Sequence, residues 1–356
     1  MNYLKKLVAL VMVLTLMFGV TAIGAEARAT TKTPHYDNFM VIGDSYATGY
    51  RLPLKNGKYV RQTHGRRFSG SFPDLIAKGV GAKTYYNYAR EGISSNEVRL
   101  WLDPDYQVPQ FYAWASDRTI KNNMEGYKAL AKQQKQIRID AKKADLIVIC
   151  IGANDLAYNA FLRQPLMVKG VAARTGNQVV QFALEGLQDT IAPLLADRQY
   201  QEAFTTVLDT MIRLNALEEF IAVMAESMLM AVPNFFQNWN AIMDELHAIN
   251  PKAKIVVMGL FNGMDGMRLT PYSVVNLTKP LDLVFEAMNG VILDYNANHN
   301  YYTFVRTLGG VETPDWIPLT ELLADPDNMH TNLNYCSHPT PAGHKWLAQQ
   351  ALNALR

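Results

Sequence analysis

Phe39-Met40-Val41-Ile42-Gly43-Asp44-Ser45 is an apolar run that stops at a glycine and is followed by an acid and a serine. Four apolar residues that end in two β-branched ones predict a short buried strand over 39–42. In open α/β sheets the reactive groups lie just beyond the carboxyl ends of such strands. Ser45 is therefore a candidate nucleophile, while the alternative is an ordinary turn in which Ser45 caps the next helix.

Further strands are predicted along the chain, and segments with helical spacing of apolar residues separate them. The strongest is 144–151, in which 146–151 form a continuous apolar run that is typical of a central parallel strand covered on both faces. The other predicted strands are 84–88, 251–259 and 301–305. Strands that alternate with helices predict an α/β protein with a parallel central sheet, a three-layer α/β/α fold of the flavodoxin-like kind.

A large helical insertion is predicted at about 157–249, between two of these strands. Packing between helices accounts for its repeated Met and Leu residues; the alternative is an apolar surface that is shared with a lipid-like substrate. The insertion sits where it could cover the crevice, so it is a candidate lid that would set the size of the substrate.

The first 29 residues have the pattern of a secretory signal peptide. Lys5 and Lys6 precede an apolar core over 7–20, and two A-x-A cleavage sequences follow at 25–27 and 27–29. A membrane anchor is the alternative, but the apolar core is shorter than the roughly 20 residues that span a bilayer. We therefore expect a secreted or extracytoplasmic protein without a stable membrane span, whose single domain is 30–356.

The composition restricts the function classes. Hydrophobic residues make up 49% of the chain and charged residues 19%, which indicates a globular protein. A formal net charge of +2 gives no electrostatic reason to expect nucleic acid as a partner. The His and Cys residues lack the spacing of metal ligands, so no metal is expected. Cys150 and Cys336 form either a disulfide or two buried thiols, and the sequence leaves both open.

Three further segments carry groups that a serine nucleophile needs, and each follows or precedes a predicted element. Gly92 follows the strand at 84–88, and a glycine lets a backbone N–H approach a bound oxygen closely. Asn154 follows the strongest strand, and its neutral amide is a suitable donor to an oxyanion. His338 precedes the last predicted helix and is a candidate base.

These four segments resemble the blocks of the SGNH (GDSL) hydrolase family, and they occur in the family's order. Gly-Asp-Ser matches the first block, Asn-x-Ala-x-x-Gly at 87–92 the second, G-x-N-D at 152–155 the third and His-Pro-x-x-x-Gly the last. The resemblance covers most of the chain apart from the helical insertion. It implies Ser45 as nucleophile and His338 as general base and then acid. It also implies an oxyanion hole formed by the Ser45 N–H, the Gly92 N–H and the Asn154 side chain.

The sequence departs from the family in one respect. The family places an Asp three residues before the catalytic His, and Tyr335 occupies that position here. Either Asp325 or Asp327 orients the imidazole instead, or a backbone carbonyl does. His330, which follows Asp327 in a D-x-x-H pattern, is a rival base, but it lacks the Pro and Gly that follow His338.

The resemblance implies hydrolysis of carboxylic esters through an acyl-enzyme, with a small-molecule, lipid or acylated-carbohydrate ester as substrate. This chemistry needs no metal or organic cofactor, so none is expected. A second possibility is a carbohydrate O-acetylesterase or acetyltransferase, in which aromatic residues at 101–114 (Trp101, Tyr106, Phe111, Tyr112 and Trp114) would form the sugar platform. A third, of another class, is a non-catalytic binding protein on the same fold. Asp44 and Asp155 are predicted to bond local backbone N–H groups rather than to act as a catalytic pair.

Overall fold

The structure is a computed structural model, and it describes the following residues of the 356: 34–54, 58, 60, 65–109, 130–162, 164–196, 200–274, 276–314, 318, 321 and 337–356. The predicted signal peptide at 1–29 lies outside this described part.

The strands in the described part form one parallel sheet with the order β2-β1-β3-β4-β5. This is the strand order of a flavodoxin-like, doubly wound sheet. The prediction of a parallel central sheet in an α/β/α arrangement is therefore confirmed. The strands are β1 (Asn38–Gly43), β2 (Thr84–Ala89), β3 (Leu146–Cys150), β4 (Lys254–Met258) and β5 (Thr303–Val305).

Helices connect the strands. In chain order, those in the described part are α1 (Ser45–Thr48), α2 (Phe72–Gly79), α3 (Ser95–Leu102), α4 (Gln134–Lys143), α5 (Ala153–Leu162), α6 (Gln164–Thr175), α7 (Gln178–Ala196), α8 (Tyr200–Arg213), α9 (Leu217–Leu229), α10 (Val232–Ile249), α11 (Asp282–His299) and α12 (Pro341–Ala354).

The central strands are buried on both faces because their side chains alternate between two hydrophobic clusters. Met40 and Ile42 of β1 point into the cluster that contains α3, α4, α10 and α11. Phe39 and Val41 point to the opposite face, where α2 and α12 pack. Two helical layers therefore enclose the sheet, as expected for strands that are apolar at every position.

The predicted insertion is helical in the structure and joins the larger of the two clusters. Phe220 of α9 and Trp239 of α10 are fully buried there. Among the described residues, the stretch Leu217–Ile249 is long and apolar enough to cross a membrane, but it consists of two helices that are separated at 230–231. A buried share of 61% is typical of helices in the core of a globular domain.

Candidate active site

The register of the sheet brings three loops to one edge. Gly43, the last residue of β1, pairs with Ala89 at the end of β2 and with Cys150 at the end of β3. The backbone hydrogen bonds just beyond the strand ends keep the same pairing of chains. The Arg90 N–H donates to the Gly43 carbonyl, and the Asp44 N–H donates to the Cys150 carbonyl. The loops that follow β1, β2 and β3 therefore start side by side at the carboxyl edge of the sheet.

Ser45 lies at the turn from β1 into α1. A Cβ on Gly43 would lie 2.5 Å from the Cβ of Ala47, so only glycine lets α1 fold back so tightly against the strand. Asp44 caps the helix, because its carboxylate accepts a hydrogen bond of 2.9 Å from the Tyr46 N–H. Asp44 rather than Ser45 is thus the cap, and the partly exposed Ser45 is the first residue of α1.

His338 contacts Ser45 directly, with 2.8 Å between the imidazole Nε2 and the serine Oγ. The two residues are 293 positions apart in the chain. The Tyr46 ring meets the imidazole edge-on at 5.1 Å between ring centroids, and the Tyr50 ring lies at 4.8 Å. A serine hydroxyl and an imidazole at this distance satisfy the geometry that a nucleophile and its base require.

Burial lowers the pKa of His338 from 6.5 to about 3, and the charges of His344 and Arg51 contribute in the same direction. At neutral pH the imidazole is therefore uncharged and has a lone pair that can accept a proton. His344 is itself fully buried and accepts a hydrogen bond from the Phe72 N–H through Nδ1, so it has a structural role.

The two predicted oxyanion donors beyond Ser45 lie on adjacent loops. Gly92 has a φ of +83°, in the left-handed region that glycine adopts without strain. Asn154 donates a hydrogen bond of 2.8 Å from Nδ2 to the carbonyl of Ile93, the residue after Gly92. An amide nitrogen has two hydrogens, so Asn154 keeps a second one for another acceptor.

Asp155 forms a second set of hydrogen bonds between these loops. Its two oxygens accept hydrogen bonds from the N–H of Ser95 at 2.9 Å and from the Ser95 hydroxyl at 2.5 Å. The Ser95 Oγ in turn accepts a bond of 3.0 Å from Nδ2 of Asn238 on α10, which also donates to Asn96. These buried bonds hold the loops after β2 and β3 at a fixed separation and connect both to α10.

Asp155 and Asp44 are both buried, at 1% exposure each. Burial raises the pKa of each carboxyl from 3.8 to about 7, and in the case of Asp44 the nearby Asp155 adds to the effect. As predicted, Asp44 accepts a hydrogen bond from a local backbone N–H, that of Tyr46. Asp155 accepts one from its own backbone N–H and, in addition, one from the N–H of Ser95, which is 60 residues away. The sheet register explains this, because it places the loops after β2 and β3 next to each other.

Sequence reasoning missed Ser95, Asn238 and the tyrosines that contact His338. Ser94 and Glu97 form a capping box at the start of α3, and the S-x-x-E pattern at 94–97 could have marked this helix start. No pattern in the chain distinguishes Asn238 from any other polar residue of a long helix.

Several other predictions concern residues near this site. Trp101 is fully buried and donates to the Leu130 carbonyl, so it belongs to the core rather than to an exposed sugar platform. Cys150 is a free, buried thiol. Phe111, Tyr112, Trp114, Asp325, Asp327, His330, Tyr335 and Cys336 lie outside the described residues. Within the described ranges, no group of three or more His, Cys, Asp or Glu side chains is arranged to hold a metal ion.

The sequence model of the GDSL-like Lipase/Acylhydrolase family matches residues 41–346, which include all four predicted blocks. The chain belongs to this family. No curated protein matches the sequence.

Solved structures similar to this GDSL-like protein include two from Streptomyces and one from a rumen bacterium. A phospholipase A1 from Streptomyces albidoflavus has 13% identity over 90% of this chain and 100% of that chain, with a TM-score of 0.45. An extracellular lipase from Streptomyces rimosus has 14% identity over the same shares, also with a TM-score of 0.45. An acetyl xylan esterase from Butyrivibrio proteoclasticus has 14% identity over 90% of this chain and 64% of that chain, with a TM-score of 0.37.

Proposed function

We propose that this GDSL-family protein is an exported serine hydrolase that cleaves carboxylic esters through an acyl-enzyme intermediate. Family membership supports ester hydrolysis in general. The observation that carries the specific mechanism is the 2.8 Å contact between Ser45 Oγ and His338 Nε2 at the carboxyl edge of the sheet.

In the first step Ser45 attacks the ester carbonyl while His338 takes the hydroxyl proton. The negative charge that forms on the carbonyl oxygen is stabilised by the Ser45 N–H, the Gly92 N–H and the second amide hydrogen of Asn154. As the first residue of α1, Ser45 has no intrahelical acceptor for its N–H. His338 then gives the proton to the departing alcohol, and the acyl group stays on Ser45 as an ester.

In the second step water attacks the acyl-enzyme, and His338 removes a proton from that water. The same donors stabilise the second oxyanion. As this intermediate collapses, His338 gives its proton to the departing Ser45 oxygen, which releases the carboxylic acid and restores the Ser45 hydroxyl. Because burial keeps the pKa of His338 at about 3, the imidazole is in the uncharged form that both steps require at neutral pH.

A chain-length series of p-nitrophenyl esters, from acetate to palmitate, tests this proposal. Wild-type protein should release p-nitrophenol, and Ser45→Ala and His338→Ala should each lower kcat by roughly 10³-fold or more. Asn154→Ala should lower kcat by roughly 10²- to 10³-fold, as the loss of one oxyanion donor does elsewhere. Ser69→Ala is the matched control, since Ser69 is exposed and lies beside Lys78.

A covalent probe gives an independent readout. A fluorophosphonate should phosphonylate Ser45 with loss of fluoride, and the mass of the phosphonyl group should appear on the wild type and on Ser69→Ala, but not on Ser45→Ala. If purified protein shows no turnover of any ester and no labelling, the catalytic proposal fails. Ligand binding that survives in Ser45→Ala would then favour a non-catalytic binding protein on this fold.

Export is a separate part of the proposal and rests on the pattern of residues 1–29. Mass spectrometry of protein that is recovered from outside the producing cell should find a new N-terminus after Ala27 or Ala29. An intact N-terminus on cell-associated protein would contradict it.

A further inference from the structure

Arg51 lies six residues after Ser45 and has an unusual backbone conformation. Its φ is +68°, in the left-handed region that non-glycine residues rarely adopt. Two backbone bonds hold it there, one of 2.7 Å from the Arg51 N–H to the Val60 carbonyl and one of 3.0 Å from the Val60 N–H to the Leu52 carbonyl. Strained backbone that the surrounding structure enforces occurs preferentially at ligand sites.

The Arg51 guanidinium lies over the ring of Tyr50, which is one of the two tyrosine rings that contact the base. Its guanidinium carbon lies 5.6 Å from the centroid of the Tyr50 ring. The Tyr50 ring in turn lies 4.8 Å from the imidazole of His338. One tyrosine ring therefore separates the guanidinium from the base, and the positive charge helps to lower the pKa of His338.

The guanidinium has no anionic partner in the described part of the chain. Its Nε is buried and makes no hydrogen bond, while the residue as a whole is partly exposed. Arg67, in contrast, is paired with the buried Asp74 at 2.7 Å. A partly buried guanidinium without a carboxylate is costly to maintain, because charged groups are normally buried only when they are paired.

We propose that Arg51 is the anion-binding group of the substrate site and that it selects esters which carry a carboxylate or phosphate group near the ester bond. This inference rests on the ester hydrolysis proposed above. The planar fork of a guanidinium binds either anion through two parallel N–H···O bonds. The anion would supply the acceptor that Nε lacks in the structure.

The test compares two esters of equal acyl length, p-nitrophenyl butyrate and mono-p-nitrophenyl succinate, which differ in a terminal carboxylate. Wild-type protein should prefer the succinyl ester in kcat/KM. Arg51→Asn should lower the ratio of the two kcat/KM values by about tenfold or more, the usual effect of losing a hydrogen bond to a charged group. Asn is chosen because it tolerates the left-handed conformation, so the substitution is compatible with the fold.

Inorganic phosphate and succinate, as inhibitors of butyrate hydrolysis, distinguish the two anions. At least one should inhibit the wild type competitively and lose most of its effect in Arg51→Asn. Arg213→Gln removes one positive charge from an exposed pair on α8 and should leave the substrate ratio and the inhibition unchanged. A ratio that is equal in wild type, Arg51→Asn and Arg213→Gln would overturn the inference, as would no inhibition of the wild type by either anion. Hydrolysis of neither ester by the wild type would instead count against the proposed function itself.

Discussion

Replacement of Asp155 by Asn should change how the stability of the protein depends on pH. Burial raises the pKa of this carboxyl from 3.8 to about 7 in the folded state. A raised pKa means that the folded state holds the proton more tightly than the unfolded state. The stability that this proton provides is complete below pH 3.8 and is lost as the pH rises through 7.

The size of the effect follows from these two values. Between pH 5 and pH 8 the titration of Asp155 should lower the free energy of unfolding of the wild type by about 2 to 3 kcal/mol. The amide that Asp155→Asn introduces cannot titrate, so the variant lacks this dependence, whatever constant cost the substitution has. The charge of Asp155 also raises the pKa of the nearby Asp44. Removal of the Asp155 carboxyl should therefore also weaken the pH dependence of stability that Asp44 contributes.

Urea unfolding of both proteins at pH 5, 6, 7 and 8 measures this difference. The gap between the two free energies of unfolding should change by about 2 to 3 kcal/mol across the range, in favour of the variant at high pH. His338 and His344 also titrate with pKa values lowered to about 3, but they are present in both proteins and cancel in the comparison. Asp209→Asn, on the surface of α8, controls for the loss of an exposed carboxylate. If the curves of wild type and Asp155→Asn run parallel, Asp155 does not have the raised pKa, and the reasoning is wrong.

Three further outcomes are expected. Because the pKa of His338 is lowered to about 3, the base stays uncharged above about pH 4. The rate of p-nitrophenyl butyrate hydrolysis should therefore decline only below about pH 5. A decline with its midpoint near pH 6.5 would contradict this. Asn238→Leu should lower the free energy of unfolding, measured in urea, by about 2 to 4 kcal/mol, because the buried Ser95 and Asn96 each lose a donor. An equal loss in Gln237→Leu, at the exposed neighbouring position, would show that these hydrogen bonds are not the cause. Gly43→Ala places a Cβ 2.5 Å from the side chain of Ala47 on α1, so it should displace Ser45 and lower kcat/KM about tenfold or more. Gly186→Ala, whose new Cβ meets nothing within 4 Å, should leave kcat/KM unchanged.

The layered fold could be predicted from the sequence because its central strands β1, β3 and β4 are largely apolar runs. The predicted strand at 144–151 corresponds to β3, and each of its residues from Leu146 to Cys150 is buried. Amphipathic helices are harder to delimit. Helix α11, for example, continues to His299, because apolar and polar residues are mixed along it without a clear stop before the left-handed Asn300.

The candidate site could be predicted only in part. Residues that stand in a short sequence motif could be found, whereas residues that come together only through tertiary packing could not. Ser45, Gly92, Asn154 and His338 each stand in a short motif next to a strand or helix end, where residue type and position together indicate a chemical role. The contact between Asn238 and Ser95 joins positions 143 residues apart. Only the packing of α10 against α3 brings them together, and one sequence does not encode that packing in any short pattern.

The place of α10 in the fold has a consequence for chimeric enzymes. Trp239 donates to the Tyr302 hydroxyl beside β5, and Phe235 stacks on Trp239 within the core. An exchange of the helical segment between relatives, made to transfer substrate range, would therefore need its second junction at 230–231, before α10 begins. A graft that ended at 249 would replace the core helix α10 with a foreign one. It would also remove Asn238, the side chain that connects α10 to Ser95 and Asn96.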